Sequence, residues 1–150
     1  MTVLTVICTA NICRSPMGQV ILQSKAREAG LEVEVRSAGV QALVGRSPDK
    51  QALGALMRAG YAVPEGKRAE QLLIPNISNS NLLLVMENRH KQWVMQRFPN
   101  HSGKVWLMGQ WLGPVEVGDP IGLGVVEFDR CLSLLERAVD SWIPRLSLVL

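Results

Sequence analysis

Cys8 and Arg14 stand six positions apart in the stretch "VICTANICRSP" at residues 6–16, with a second thiol at Cys13 and a hydroxyl at Ser15. The stretch opens as an apolar run and closes on Arg14-Ser15-Pro16. A thiol at the end of a strand and a guanidinium at the start of a helix suit one kind of chemistry. Helix N-termini present unpaired N–H groups and the positive end of a dipole. Consecutive N–H groups in a loop make an anion nest of phosphate size. Arg14 adds a permanently charged, two-pronged donor. The same positive field favours thiolate at Cys8, and a thiolate beneath a bound phosphoryl group is an in-line nucleophile. Ser15 is placed to hydrogen-bond that sulfur, and Asn11 tolerates the positive φ that a tight loop demands.

These residues need a strand, a loop and a helix in that order, and the flanking sequence supplies them. Val3–Ile7 reads as a short buried strand, and Met17, Val20, Ile21 and Ser24 share a helical face that Gly30 ends. "LEVEVRS" at 31–37 alternates as a strand does. Asp49–Ala59 reads as a helix with Leu53, Leu56 and Met57 inward. "NLLLVM" at 81–86 reads as a central parallel strand, Glu87–Arg97 as a helix and "KVWLMG" at 104–109 as a fourth strand. Val125, Phe128, Leu132, Leu135, Val139 and Trp142 recur at spacings of three and four, the stripe of a long amphipathic helix from Gly124 to about Leu146. Residues 64–81 read as loop. Alternating strands and helices predict an α/β fold: a four-stranded parallel sheet, helices on both faces, and the Cys8–Arg14 loop between strand 1 and helix 1. Ligands in such folds bind at the carboxyl ends of strands, where Cys8 lies.

Bulk properties are consistent with this. The chain has 150 residues, read as one domain spanning 1–150, and 47% are apolar. The net charge of +3 mildly favours anionic ligands and is too small to indicate nucleic acid. Three cysteines and no recognisable signal segment predict a reducing, cytoplasmic setting. No apolar run has the length of a membrane span, so no membrane insertion is expected. Cys8 and Cys13 lack partners for a metal site, since only His90, His101 and Cys131 remain. Both histidines read as surface or helix-end residues, Cys131 as a core thiol, and the four tryptophans as packing.

The motifs "CTANICRSP", "SAG" at 37–39, "VGRSPD" at 44–49, "LLLVMENRH" at 82–90 and "DP" at 119–120 resemble, in that order, the low-molecular-weight protein tyrosine phosphatases. "ALVGRSPD" and "MENRH" are most similar to the bacterial branch that acts on tyrosine kinases of exopolysaccharide export and capsule assembly. The resemblance implies that Cys8 is the nucleophile and Arg14 the phosphate-binding arginine. It implies that Thr9, Ala10, Asn11, Ile12, Cys13, Arg14 and Ser15 form the phosphate loop, and that Asn11, Ser15 and Ser37 support it. Asp119 becomes the general acid, and Cys13 the cysteine that can form a protective disulfide with Cys8. No cofactor and no metal are implied. The implied partner is a phosphotyrosine protein, an autophosphorylating bacterial tyrosine kinase, with inorganic phosphate as product.

Several residues depart from the family pattern. Ala10 stands where glycine is usual, Lys67 where histidine is common and Glu70 where arginine is common. Ile121 and Gly122 follow Asp119-Pro120 where tyrosines are usual, and no aromatic lies near Ala42–Leu43. Leu43 and Ile121 therefore predict an aliphatic substrate wall. Two other readings stay open here. A thiol-dependent arsenate reductase needs two further cysteines to relay a disulfide. A non-catalytic oxyanion- or kinase-binding module finds support only in Ala10 and the altered Asp-Pro surroundings.

Overall fold

The apolar run before Cys8 forms β1 (Thr2–Cys8), which is buried on both faces. In the computed structural model, which describes residues 1–63 and 65–149, β1 pairs in parallel with β2 (Val33–Gly39) and β3 (Leu82–Val85). β3 pairs in parallel with β4 (Val105–Leu107), giving the order β2-β1-β3-β4. β1 therefore sits where the chain order reverses. The connections leaving β1 and β3 run in opposite directions, opening a crevice at their carboxyl ends. The register Cys8↔Gly39 and Ile7↔Val85 brings the ends of β1, β2 and β3 to one level.

Alternation along β1 sorts its side chains. Leu4, Val6 and Cys8 join a core with Met17, Ile21, Leu135 and Val139, beneath α1 (Arg14–Glu28) and α5 (Val125–Val149). Ile7 joins Leu83, Val85, Leu107, Ile77 and Val94 on the other face, beneath α3 (Ile74–Asn79) and α4 (Asn88–Arg97). The predicted four-stranded parallel sheet with helices on both faces is the architecture found. Lys25 and Arg27 in the last turn of α1 complement the helix dipole, and Gly30 (φ 74°) turns the chain after it.

Three details differ from the sequence reading. α2 (Lys50–Arg58) turns Ala52, Ala55 and Leu56 inward, while Met57 is 64% exposed and Leu53 only half-buried. Leu56 is inward as read, and the small Ala52 and Ala55 complete the buried face, so apolar size alone does not mark it. Val125 begins α5 ahead of the packed stripe and is exposed. Residues 65–81, read as loop, contain α3 and a bridge from Gln71 to Gly39. α3 has six residues, including Pro75 and two asparagines, and shows no helical apolar period. No helix among the described residues is long and apolar enough to cross a membrane.

Candidate active site

Residues 9–13 link β1 to α1, and their carbonyls are held from outside. Val40, Gln41, Leu43 and Asp49 donate backbone N–H groups to the carbonyls of Cys8, Thr9, Ala10 and Ile12 at 3.0, 2.9, 3.1 and 2.7 Å. Met17 N–H closes on the Cys13 carbonyl at 3.0 Å. The N–H groups of Thr9 to Cys13 have no protein acceptor among the described residues. With the Thr9, Ala10, Ile12 and Cys13 carbonyls taken and the N–H groups free at a helix N-terminus, the segment is an anion nest. Asn11 makes the necessary reversal at φ 60°. Gly39 is required by close approach: a Cβ there would lie 2.4 Å from the Thr9 carbonyl oxygen and 3.0 Å from Asn11 N. The glycine of "SAG" is thus the floor on which the loop rests. The aspartate of "VGRSPD" ties to Ile12 and caps α2, its Oδ1 accepting from Gln51 N–H at 2.9 Å and Ala52 N–H at 3.2 Å.

A directed chain of hydrogen bonds ends on the Cys8 sulfur. Gln19 Nε2 donates to the Val35 carbonyl at 3.0 Å, which turns its Oε1 to accept from Ser37 Oγ at 2.8 Å. Asn11 Nδ2 donates to Ser37 Oγ at 3.0 Å and to Ser15 Oγ at 2.7 Å. With its oxygen accepting from Asn11, Ser15 has its own hydrogen free for Cys8 Sγ, 2.9 Å away. Asn11 Oδ1 accepts from Glu70 N–H at 2.9 Å and Lys67 Nζ at 3.3 Å. Every polar atom of the Asn11 side chain is engaged. Burial pulls the Lys67 pKa down, against the charges of Glu70 and Cys8.

Arg14 is 2% exposed and its guanidinium is anchored chiefly by one nitrogen, with a long 3.5 Å contact from Nη2 to Thr9 Oγ1. Nη1 donates to Glu87 Oε2 at 2.6 Å and to the Val117 carbonyl at 2.9 Å, which uses both its hydrogens. The Nε–Nη2 edge remains as a two-pronged donor for an oxyanion. Burial opposes the charge on Arg14, but the Glu87 hydrogen bond and the charges of Cys8, Glu87 and Asp119 outweigh it and raise the pKa. Burial also works against the Glu87 carboxylate, yet hydrogen bonds from Arg14 and Arg89 hold its pKa below the usual glutamate value.

His90 lies in the first turn of α4, the helix end its sequence position suggests, but it is buried rather than at the surface, 1% exposed. Its Nδ1 accepts from Glu87 N–H at 3.1 Å, so Nε2 carries the hydrogen and donates to Thr9 Oγ1 at 2.8 Å. Burial, reinforced by Arg14 and Arg89, lowers the His90 pKa to about 4, which keeps the ring neutral. Arg89 Nη2 also donates to Thr9 Oγ1, at 2.9 Å.

Asp119 is brought to the rim of the site, with Oδ2 3.9 Å from Arg14 Nη2. Its Oδ1 accepts from Ile121 N–H at 3.0 Å, a local turn that orients the carboxylate. Leu43 and Ile121 are both partly exposed, and Leu43 is backbone-bonded to Ala10. Cys13 is buried, its Sγ 4.0 Å from Met17 Sδ, and burial pushes its thiol pKa up. Cys131 is a buried thiol pushed up to about 12, chiefly by burial, as suits a core residue. Trp106, Trp111 and Trp142 cluster with ring centroids 5.6–6.3 Å apart, away from these groups. A groove of about 640 Å³ between α1 and residues 61–63 touches this site only through Gln19 and Val35, at the far end of the hydrogen-bond chain from Cys8.

The structure thus gathers Cys8, Thr9, Asn11, Arg14, Ser15, Ser37 and Asp119 around one cradle. Sequence reasoning missed Gln19, Glu87 and His90 as members. Glu87 and His90 lie in "MENRH", directly after a strand predicted to be a neighbour of β1, and that position was their only signal. A sulfur beneath an oxyanion nest, with a guanidinium edge beside it and a carboxylate above, can accept a phosphoryl group and protonate what leaves.

Comparison with known proteins agrees. The model of the family described as low molecular weight phosphotyrosine protein phosphatase matches residues 3–148. The probable low molecular weight protein-tyrosine-phosphatase EpsP of Ralstonia nicotianae is 36% identical over 141 residues, 94% of this chain and 93% of that protein. The tyrosine phosphatase Wzb from Escherichia coli, solved in complex with sulphate, has a TM-score of 0.88 at 35% identity, over 96% of this chain and 97% of that one. The YwlE arginine phosphatase from Geobacillus stearothermophilus also reaches 0.88, at 29% identity over 98% and 94% of the two chains. By sequence and by fold, this chain belongs to the low molecular weight phosphotyrosine protein phosphatase family and is a phosphoric monoester hydrolase.

Proposed function

We propose that the chain hydrolyses phosphotyrosine in a protein substrate through a phosphocysteine at Cys8. The observation that carries this reading is the directed hydrogen-bond chain ending on Cys8 Sγ beside the open Nε–Nη2 edge of Arg14. The loop N–H groups and Arg14 hold the three non-bridging oxygens. Cys8 sulfur attacks phosphorus in line with the phenolic oxygen. An S–P bond forms as the P–O bond breaks, and Asp119 delivers a proton to the leaving phenolate. Water then attacks phosphorus, Asp119 takes up its proton, and the Cys8 thiolate departs with inorganic phosphate as product. Ser15 O–H stabilises that thiolate in both steps. Leu43 and Ile121 form an aliphatic wall beside the substrate ring, so selectivity falls to groups beyond aromatic stacking.

The substrate we favour is an autophosphorylating bacterial tyrosine kinase of exopolysaccharide production. Support comes from the resemblance of "ALVGRSPD" and "MENRH" to that branch and from the similarity to EpsP and Wzb. The test is turnover of matched peptides carrying phosphotyrosine or phosphoarginine, with arsenate reduction in parallel, for wild type and Cys8→Ser. Phosphotyrosine hydrolysis abolished by Cys8→Ser is the expected result. Preference for phosphoarginine, or arsenate reduction, overturns the tyrosine reading.

A further inference from the structure

Arg89 is a second guanidinium at the cradle, and its surroundings fix where it stands. Its Nε and Nη2 donate to Glu87 Oε2 at 3.1 and 2.9 Å, and Nη2 also reaches Thr9 Oγ1 at 2.9 Å. A surface arginine normally samples many rotamers; this one is tied at three points to groups that also set Arg14. Glu87 Oε2 is the common acceptor of both guanidiniums, and Thr9 Oγ1 stands between them, 3.5 Å from Arg14 Nη2. Arg89 is nevertheless 58% exposed, and the two hydrogens of its Nη1 have no protein acceptor among the described residues.

Thr9 points the same way. Its oxygen accepts from His90 and from Arg89, so its own hydrogen must go elsewhere. The described residues offer that hydrogen no acceptor. The α4 side of the rim therefore presents Thr9 O–H and Arg89 Nη1–H: donors only, with one full positive charge. The nearby carboxylates are Glu87, already holding both arginines, Asp119, at 3.9 Å from Arg14, and Glu116, which takes Asn88 N–H at 2.7 Å. None of them bonds Arg89 Nη1.

We propose that Arg89, with Thr9, forms a second oxyanion subsite, and that Arg89 is a specificity-determining residue for substrates with another anionic group beside the phosphotyrosine. The group is a carboxylate of a neighbouring Asp or Glu, or a second phosphoryl. A planar guanidinium suits both, and its immobilisation by Glu87 lowers the ordering cost of binding. This rests on the phosphotyrosine reading above.

The test uses three peptides of one length, each with one phosphotyrosine. One has neutral flanks, one has glutamates in the flanks, and one has a second phosphotyrosine. KM and kcat are measured for wild type, Arg89→Ala and Arg89→Lys. Wild type is expected to favour an anionic peptide over the neutral one by about five- to tenfold in KM, an advantage that weakens with salt. Arg89→Ala should reduce the ratio to about twofold or less, and Arg89→Lys should keep part of it. Any effect of the substitution on Glu87 or Arg14 strikes all three peptides alike and cancels in the ratio. Preference for one anionic peptide only supports the subsite and assigns its source. An equal KM for all three peptides in wild type, or an advantage that survives Arg89→Ala, overturns the proposal. Absence of turnover on every peptide would overturn the parent reading instead. The same ratio is then read as dissociation constants in a Cys8→Ser background, with the same criteria.

Discussion

His90→Gln isolates a buried neutral imidazole whose titration bears on stability. In the folded chain a second proton on His90 would sit on Nδ1, facing Glu87 N–H donor to donor, in a buried site between Arg14 and Arg89. The folded pKa is accordingly lowered to about 4, while an unfolded histidine titrates near 6.5. Between these values the unfolded chain binds a proton that the folded chain refuses. The stability is fully present above about pH 6.5, falls as pH drops, and is lost once pH passes about 4. A gap of about 2.5 pH units is worth roughly 3 kcal/mol, of which about 2 kcal/mol is gone by pH 5. Urea unfolding at pH 7, 6 and 5 measures this. Wild type should lose about 2 kcal/mol more than His90→Gln between pH 7 and 5. At pH 7 the variant should itself be about 1 kcal/mol less stable, because glutamine must order a more flexible side chain to keep the bonds to Glu87 N–H and Thr9 Oγ1. Parallel pH dependences in the two proteins would refute the buried neutral imidazole.

Three other substitutions probe the cradle. Asp119→Asn should cut kcat on phosphotyrosine by roughly 10²–10³ and do far less damage to an aryl phosphate with an activated leaving group; equal losses on both would leave Asp119 a turn residue only. Gly39→Ala places a methyl 2.4 Å from the Thr9 carbonyl oxygen, so vanadate affinity and kcat/KM should each fall at least tenfold, with a stability cost of about 1–3 kcal/mol; vanadate binding within threefold of wild type would show that the loop can yield. Lys67→Met removes a weak 3.3 Å hydrogen bond to Asn11 while Glu70 N–H keeps its own, so kcat should fall about two- to tenfold with little change in unfolding free energy; unchanged kcat would mean that Glu70 N–H alone holds Asn11.

What could be read from the chain was local. Cys8, Asn11, Arg14 and Ser15 lie within eight residues, and their spacing already states a strand end, a positive-φ reversal and a helix start. Long apolar runs such as "NLLLVM" were legible because burial on both faces of a parallel strand permits little else. α3 was not legible, since its six residues hold proline and asparagines and owe their helix to packing of Ile77 against β3. The inward face of α2 is legible only in part for a related reason: Leu56 is buried as read, but Ala52 and Ala55 fill the rest of that face and Met57 is left outside.

The polar groups that finish the site were hidden by sequence distance. Glu87 and His90 are separated from Arg14 and Thr9 by 73 and 81 positions and become neighbours only because β3 pairs with β1 at Ile7↔Val85. The Val117 carbonyl that takes the second Nη1 hydrogen of Arg14 lies 103 positions away and carries no side-chain signature at all. These long-range partners make the arginine usable. A guanidinium whose two short hydrogen bonds both leave Nη1, with only a long 3.5 Å contact from Nη2 to Thr9, presents its Nε–Nη2 edge, so β3 and the 115–119 segment determine which face of Arg14 the substrate meets. Arg14 announces an oxyanion in the sequence; Glu87 and Val117 decide how it is held.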